Sequence, residues 1–184
     1  MMGLWVVLGV VVLLALWVIS VYNGLVRLRN QVDNAWAQID VQLKRRHDLI
    51  PNLIETVKGY MGHERGTLEE ITNARTAAMQ AQGPAAAGEA ESRLSGALRG
   101  LMVNVEQYPD LKASANFLAL QEELASTENK ISFARQAYND SVTGYNTRIQ
   151  TIPANLIAGP AGFTPRELFE LKDEAERAVP QVKF

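Results

Sequence analysis

Residues 3–19 read GLWVVLGVVVLLALWVI and contain no charged or strongly polar side chain. A run of this kind cannot sit on a water-exposed surface, and Ser20, Val21 and Tyr22 extend it to the ~20 residues that a bilayer-spanning helix needs. A cleaved signal peptide would require a positively charged start and a small-residue cleavage site. Here Met1 and Met2 precede the run and Tyr22-Asn23-Gly24-Leu25 follow it, so residues 1–22 are read as an uncleaved, single-pass anchor whose first partner is the lipid bilayer. Trp5, together with Trp17 or Tyr22, falls near opposite ends of the run, where amphipathic rings lie at the headgroup level. No Lys or Arg precedes the run, whereas Arg27 and Arg29 follow it closely. The positive-inside rule therefore puts the remaining residues, 23–184, in the cytoplasm of a bacterial inner membrane, with the periplasmic side as the alternative.

Beyond the anchor the apolar residues keep a helical period. Leu25, Leu28, Val32, Trp36, Ile39 and Leu43 recur at spacings of three and four, and Ile50, Ile54, Val57 and Met61 resume the phase after a gap at His47. Because the stripe keeps its phase across Pro51, a kink is expected there rather than a break. A second helix is expected over 63–82, closed by Gly83-Pro84, and a third over 86–108, closed by Pro109-Asp110. The fourth carries the longest seam: Phe117, Leu120, Leu124, Thr127, Ile131, Ala134, Tyr138, Val142, Tyr145, Ile149 and Ile152, ending at Pro153. Thr164-Pro165-Arg166-Glu167 has the N-cap, N1 and N3 pattern of a short helix reaching about Arg177.

Two long and two short helices joined by turns imply an all-α fold: the N-terminal transmembrane helix, then an elongated antiparallel four-helix bundle with a short C-terminal helix. The full bundle forms at one end only. The other end is a two-helix coiled coil whose seam is to be covered by the C-terminal segment, by other subunits or by both. The packing seam is assigned to Trp36, Ile39, Leu43, Phe117, Leu120, Leu124, Ile131, Tyr138 and Tyr145. Asp40, Asn52, Asn129, Asn139 and Asn146 border it as register-setting polar residues. The fourth helix returns toward the bilayer, so Leu156, Ile157 and Phe163 are read as cover for the core, with contact at the membrane surface as the alternative.

The chemistry of the chain is sparse. It has no cysteine and a net charge of -2, so thiolate metal sites and cysteine nucleophiles are excluded, and with Asp and Glu alternating among the basic residues no nucleic-acid partner is expected. His47 and His63, the two histidines, lack the spacing that puts two ligands on one helical face, and are read as surface or hinge residues, with His63-Glu64 a possible cap. Lys44-Arg45-Arg46 is read as a solvated or interhelically paired face, with lipid headgroups as the alternative. Glu69-Glu70 and Glu122-Glu123 are adjacent on helices and diverge, which argues against an acid/base pair. No catalytic, metal or cofactor residue is assigned.

Several strings closely resemble the LemA family: Tyr22-Asn23, Arg29-Asn30, Ala35-Trp36, Ile39-Asp40-Val41-Gln42-Leu43-Lys44-Arg45-Arg46 and Asp48-Leu49-Ile50-Pro51-Asn52-Leu53. Val57-Lys58-Gly59-Tyr60, Tyr108-Pro109-Asp110-Leu111-Lys112-Ala113, Thr127-Glu128-Asn129-Lys130-Ile131, Tyr138-Asn139 and Tyr145-Asn146 extend the match over nearly the whole chain. The resemblance implies a single-pass inner-membrane protein with a helical bundle and no assigned enzymatic activity. It also implies an association, for some relatives, with membrane zinc metalloproteases or with magnetosome membranes. The reading is a membrane-anchored, non-enzymatic, homo-oligomeric scaffold. Its alternatives are an adaptor for a membrane protein such as a zinc metalloprotease, and a membrane-tethered sensor bundle.

Overall fold

The computed structural model describes residues 2–61 and 64–171. His63 and the end of the expected C-terminal helix lie outside them. The described residues are all-α, without a strand: α1 Met2–Lys58, α2 Arg65–Gln80, α3 Pro84–Val105, the single turn α4 Pro109–Lys112, α5 Ala115–Gln150 and the single turn α6 Asn155–Ala158.

The helix boundaries follow from local chemistry. Gly83 enters α3 with φ of 83°, a left-handed conformation that glycine adopts without steric cost, and Pro84 starts the helix where its missing N–H has no partner to lose. Pro51 lies inside α1, which continues through it. A proline at this position cannot bond the carbonyl four residues back. That carbonyl belongs to His47, and the Arg75 Nε–H donates to it at 2.7 Å. The orphaned acceptor is thus satisfied from α2.

The chain divides into two compact units. Unit 1 comprises Met1–Gln38 and Gln136–Glu167. Its core is the facing stripes of α1 and α5, with Leu25, Val32, Val142 and Ile149 buried and Trp36 half-buried against Tyr138, ring centroids 5.4 Å apart. After α5 the chain turns through Ala154 and Ala158, both buried, and runs without helix over residues 163–171.

Here the expected helix from Thr164 is corrected: residues 163–171 carry none. Their backbone groups bond to α5 instead. Tyr145 Oη–H donates to the Thr164 carbonyl at 3.0 Å and Tyr138 Oη–H to that of Glu167 at 2.8 Å. Asn146 Nδ2 donates to the Arg166 carbonyl at 2.9 Å while its Oδ1 accepts the Arg166 N–H at 2.8 Å. Tertiary partners override the capping pattern, and the segment lies along the seam of the two long helices.

Unit 2 comprises Ile39–Arg135 and Leu168–Phe184. Four helical segments share its core: Ile50, Leu53 and Val57 of α1, Leu68, Ile71 and Ala78 of α2, Leu94, Leu98, Leu101 and Val105 of α3, and Phe117 of α5, with Leu120 and Leu124 packed against them. Phe169 is fully buried, and the next residue passes so close to α3 that a Cβ at Gly88 would overlap the Glu170 carbonyl.

Candidate functional site

The apolar stripe of α1 is interrupted once in unit 2, where His47 falls four residues after Leu43 and three before Ile50. The stripe of α3 has a matching interruption, with Glu91 four residues after Ala87 and three before Leu94. Both polar side chains therefore point into the core, and they meet there. His47 Nε2 lies 2.6 Å from Glu91 Oε1, and Arg46 Nη1 lies 3.2 Å from Glu91 Oε2. Glu91 is 1% exposed, Arg46 3% and His47 7%.

A carboxylate this deep is tolerated only when paired and hydrogen-bonded. Glu91 uses both oxygens, and since an ionised carboxylate only accepts, the imidazole Nε2–H donates. Arg46 is equally committed: Nη2 donates to Ser95 Oγ at 2.7 Å, one turn beyond Glu91, and Nη1 also lies 3.2 Å from Glu128 Oε2 on α5. With Arg75 on the His47 carbonyl, the cluster ties α1 to α2, α3 and α5.

His47 thus corrects the surface or hinge reading: it is buried and paired. Of the basic triplet, Lys44 is exposed, Arg45 bonds Glu123 on α5 at 2.7 Å, and Arg46 is the buried member. The signal that marks the cluster is the pair of polar interruptions in two otherwise apolar stripes.

The other assigned residues fall as follows. Trp5, Trp17 and Tyr22 are exposed on the apolar helix, and Tyr22 meets the buried Phe163 edge-on with ring centroids 5.6 Å apart. Trp36, Tyr138 and Tyr145 belong to unit 1; Ile39, Leu43, Phe117, Leu120, Leu124 and Ile131 belong to unit 2. All are buried except Trp36, Leu120 and Leu124, which are half-buried. Asn146 engages Arg166, whereas Asp40, Asn52 and Asn129 are exposed and away from the packed seam.

Beside the cluster, α1, α3 and α5 leave an open groove of about 320 Å³ floored by Arg46 and Ser95 and walled by Leu98, Met102 and Leu124. Chemically the cluster is a closed set of complementary charges. Its one hydroxyl, Ser95, accepts from Arg46 rather than facing the imidazole, so the arrangement works as a cross-link between helices.

Comparison with known proteins places the chain among relatives of one family. Protein LemA of Metamycoplasma hominis is 31% identical over 137 residues, covering 74% of this chain. The chain spans 63% of the length of that relative. Magnetosome protein MamQ of Magnetospirillum gryphiswaldense is 23% identical, covering 88% of this chain and 70% of its own. Magnetosome protein MamQ 1 of Paramagnetospirillum magneticum is 24% identical, covering 86% and 68%. The LemA family model matches residues 35–184, both the four-segment core and the Arg46–His47–Glu91 cluster included, and the chain belongs to the LemA family.

Proposed function

We propose that this protein is a non-enzymatic scaffold anchored in a bacterial cell membrane and working by association of like chains. The observation that carries the reading is the continuity of α1. The apolar run and the first core positions of unit 1, Leu25 and Val32, lie on one unbroken helix, Met2–Lys58. No linker separates the membrane segment from the packed part of the chain, so the anchor fixes the attitude of unit 1 where a flexible tether would leave it free. That suits a part that sets an arrangement at a membrane.

Two further features support it. The buried charges of unit 2 are used up by one another, which favours a structural role over chemistry. Val41 on α1 and Phe133 on α5 expose 62% and 74% of their surface, and an aromatic ring left that open is the kind of group a protein partner covers. Arg27 and Arg29 favour the cytoplasmic side for the packed units. The magnetosome names of several relatives agree with work at an organised membrane. An adaptor for another membrane protein, such as a zinc metalloprotease, would use the same exposed ring.

Crosslinking separates the two. The chain has no cysteine, so F133C carries a single thiol for a short bis-maleimide applied to intact membranes. Scaffold assembly predicts a product at twice the chain mass, the largest that one thiol per chain can form. A single adduct with a different membrane protein, and none with itself, would overturn self-association in favour of the adaptor.

A further inference from the structure

In unit 1 the turn that follows α5 comes back beside the end of the apolar run of α1. Val21 and Leu25, at the end of the apolar run, are buried, and Phe163 packs edge-on against Tyr22 between them in sequence. These contacts hold the segment around α6 beside the last turns of the membrane helix. The turn then distributes its residues in an order opposite to that of a water-facing turn. Its small residues, Ala154 and Ala158, are buried, while Ile152 and Leu156 expose 80% and 68% of their surface.

The charge nearest this end is basic, and carboxylates begin at Asp33, Asp140 and Glu167. Residues 2–32 and 141–166 contain no Asp or Glu but hold Arg27, Arg29, Arg148 and Arg166. Arg166 is engaged by Asp33, whereas Arg27 and Arg148 are exposed and the Arg29 guanidinium sits over the Phe163 ring, 5.3 Å from its centroid. Exposed apolar side chains beside Arg27, Arg29 and Arg148, with Asp33 occupied by Arg166, match the boundary between acyl chains and anionic headgroups.

We propose that this end of unit 1 is a second membrane contact, in which Ile152 and Leu156 enter the interface of the bilayer that the anchor crosses and Arg27, Arg29 and Arg148 engage anionic lipid phosphates. The proposal rests on reading residues 3–19 as the membrane-spanning segment. It gives the protein a lipid preference and sets unit 1 directly on the membrane.

The test uses the intact chain with a single engineered cysteine, L13C, L156C or A137C, labelled with an environment-sensitive fluorophore. Each is reconstituted in phosphatidylcholine vesicles, with or without phosphatidylglycerol, that contain a headgroup-labelled nitroxide lipid. Leu13 reports the anchor and Ala137 an exposed site on α5. The expected result is a blue shift and nitroxide quenching at L156C, none at A137C, with quenching at L156C increased by phosphatidylglycerol and reduced by R27Q and R148Q. If L13C is blue-shifted while L156C behaves like A137C, the second contact is overturned and the anchor stands. If L13C shows no blue shift either, the spanning segment itself is overturned. Quenching at L156C that ignores both phosphatidylglycerol and the arginine substitutions would overturn the recognition of anionic headgroups.

Discussion

Glu91 is the residue on which the interior of unit 2 depends most, because it neutralises a buried guanidinium and binds the imidazole beside it. Removing one partner of a buried pair leaves an uncompensated charge, so E91A is expected to destabilise the protein by ~3–5 kcal/mol in urea unfolding, with E91Q losing less. A loss below about 1 kcal/mol for E91A would show that Arg46 does not need its partner. Tyr138 and Tyr145 make a prediction in pH. Burial pushes both phenols above the ordinary tyrosine value, against a lowering pull from Arg166, while each hydroxyl holds a backbone carbonyl of the returning segment. A raised folded pKa gives stability that is intact below the unfolded value of about 10 and is lost as pH rises through the folded value. Stability should therefore fall on the alkaline side of pH 10, and Y138F together with Y145F should flatten that fall; an unchanged profile would contradict the assignment. The gap at His47 was legible in the sequence, but a gap alone does not distinguish a residue turned outward from a buried one, and Glu91 was not picked out. Their pairing depends on which helices face each other, and this is set by tertiary packing.

Pro51 and Arg75 act together on one carbonyl, that of His47. R75A should cost ~1–3 kcal/mol while Pro51 is present, since it strands a part-buried acceptor, and less in P51A, where a backbone N–H can take the place of the guanidinium. Strict additivity of the two substitutions would contradict that account. Two of the three glycines of α3, Gly88 and Gly96, divide in the same physical way. At Gly96 nothing lies within 4 Å of an added Cβ, so G96A should stabilise by ~0.5–1 kcal/mol through helix propensity. At Gly88 the added methyl meets the Glu170 carbonyl, so G88A should destabilise by ~1–3 kcal/mol and speed proteolysis within residues 168–171 as Phe169 is released. The long helices were legible because their period is strong. Expectations of 63–82, 86–108 and 117–152 compare with α2 at Arg65–Gln80, α3 at Pro84–Val105 and α5 at Ala115–Gln150. The segment from Thr164 was not, because its capping signal is local whereas the carbonyl acceptors it offers to Tyr138, Tyr145 and Asn146 are chosen by a helix 19 to 29 residues upstream.

The proposed scaffold rests on three features: an apolar run continuous with a packed helix, a buried charge set turned inward and an aromatic ring turned outward. The apolar run and the LemA-like strings were readable from residues alone, whereas surface features such as Phe133 were not, because an apolar residue on a long helix reads equally well as core. F133S should leave helicity and unfolding within about 0.5 kcal/mol, as expected of an exposed position, while lowering the mass of any assembly. The measurement that bears most directly on the whole account is the mass and shape of the intact chain in mild detergent, by light scattering on a sizing column followed by electron microscopy of the peak. Scaffold assembly predicts large symmetric particles that F133S reduces; a monomer or dimer unaffected by F133S would contradict it.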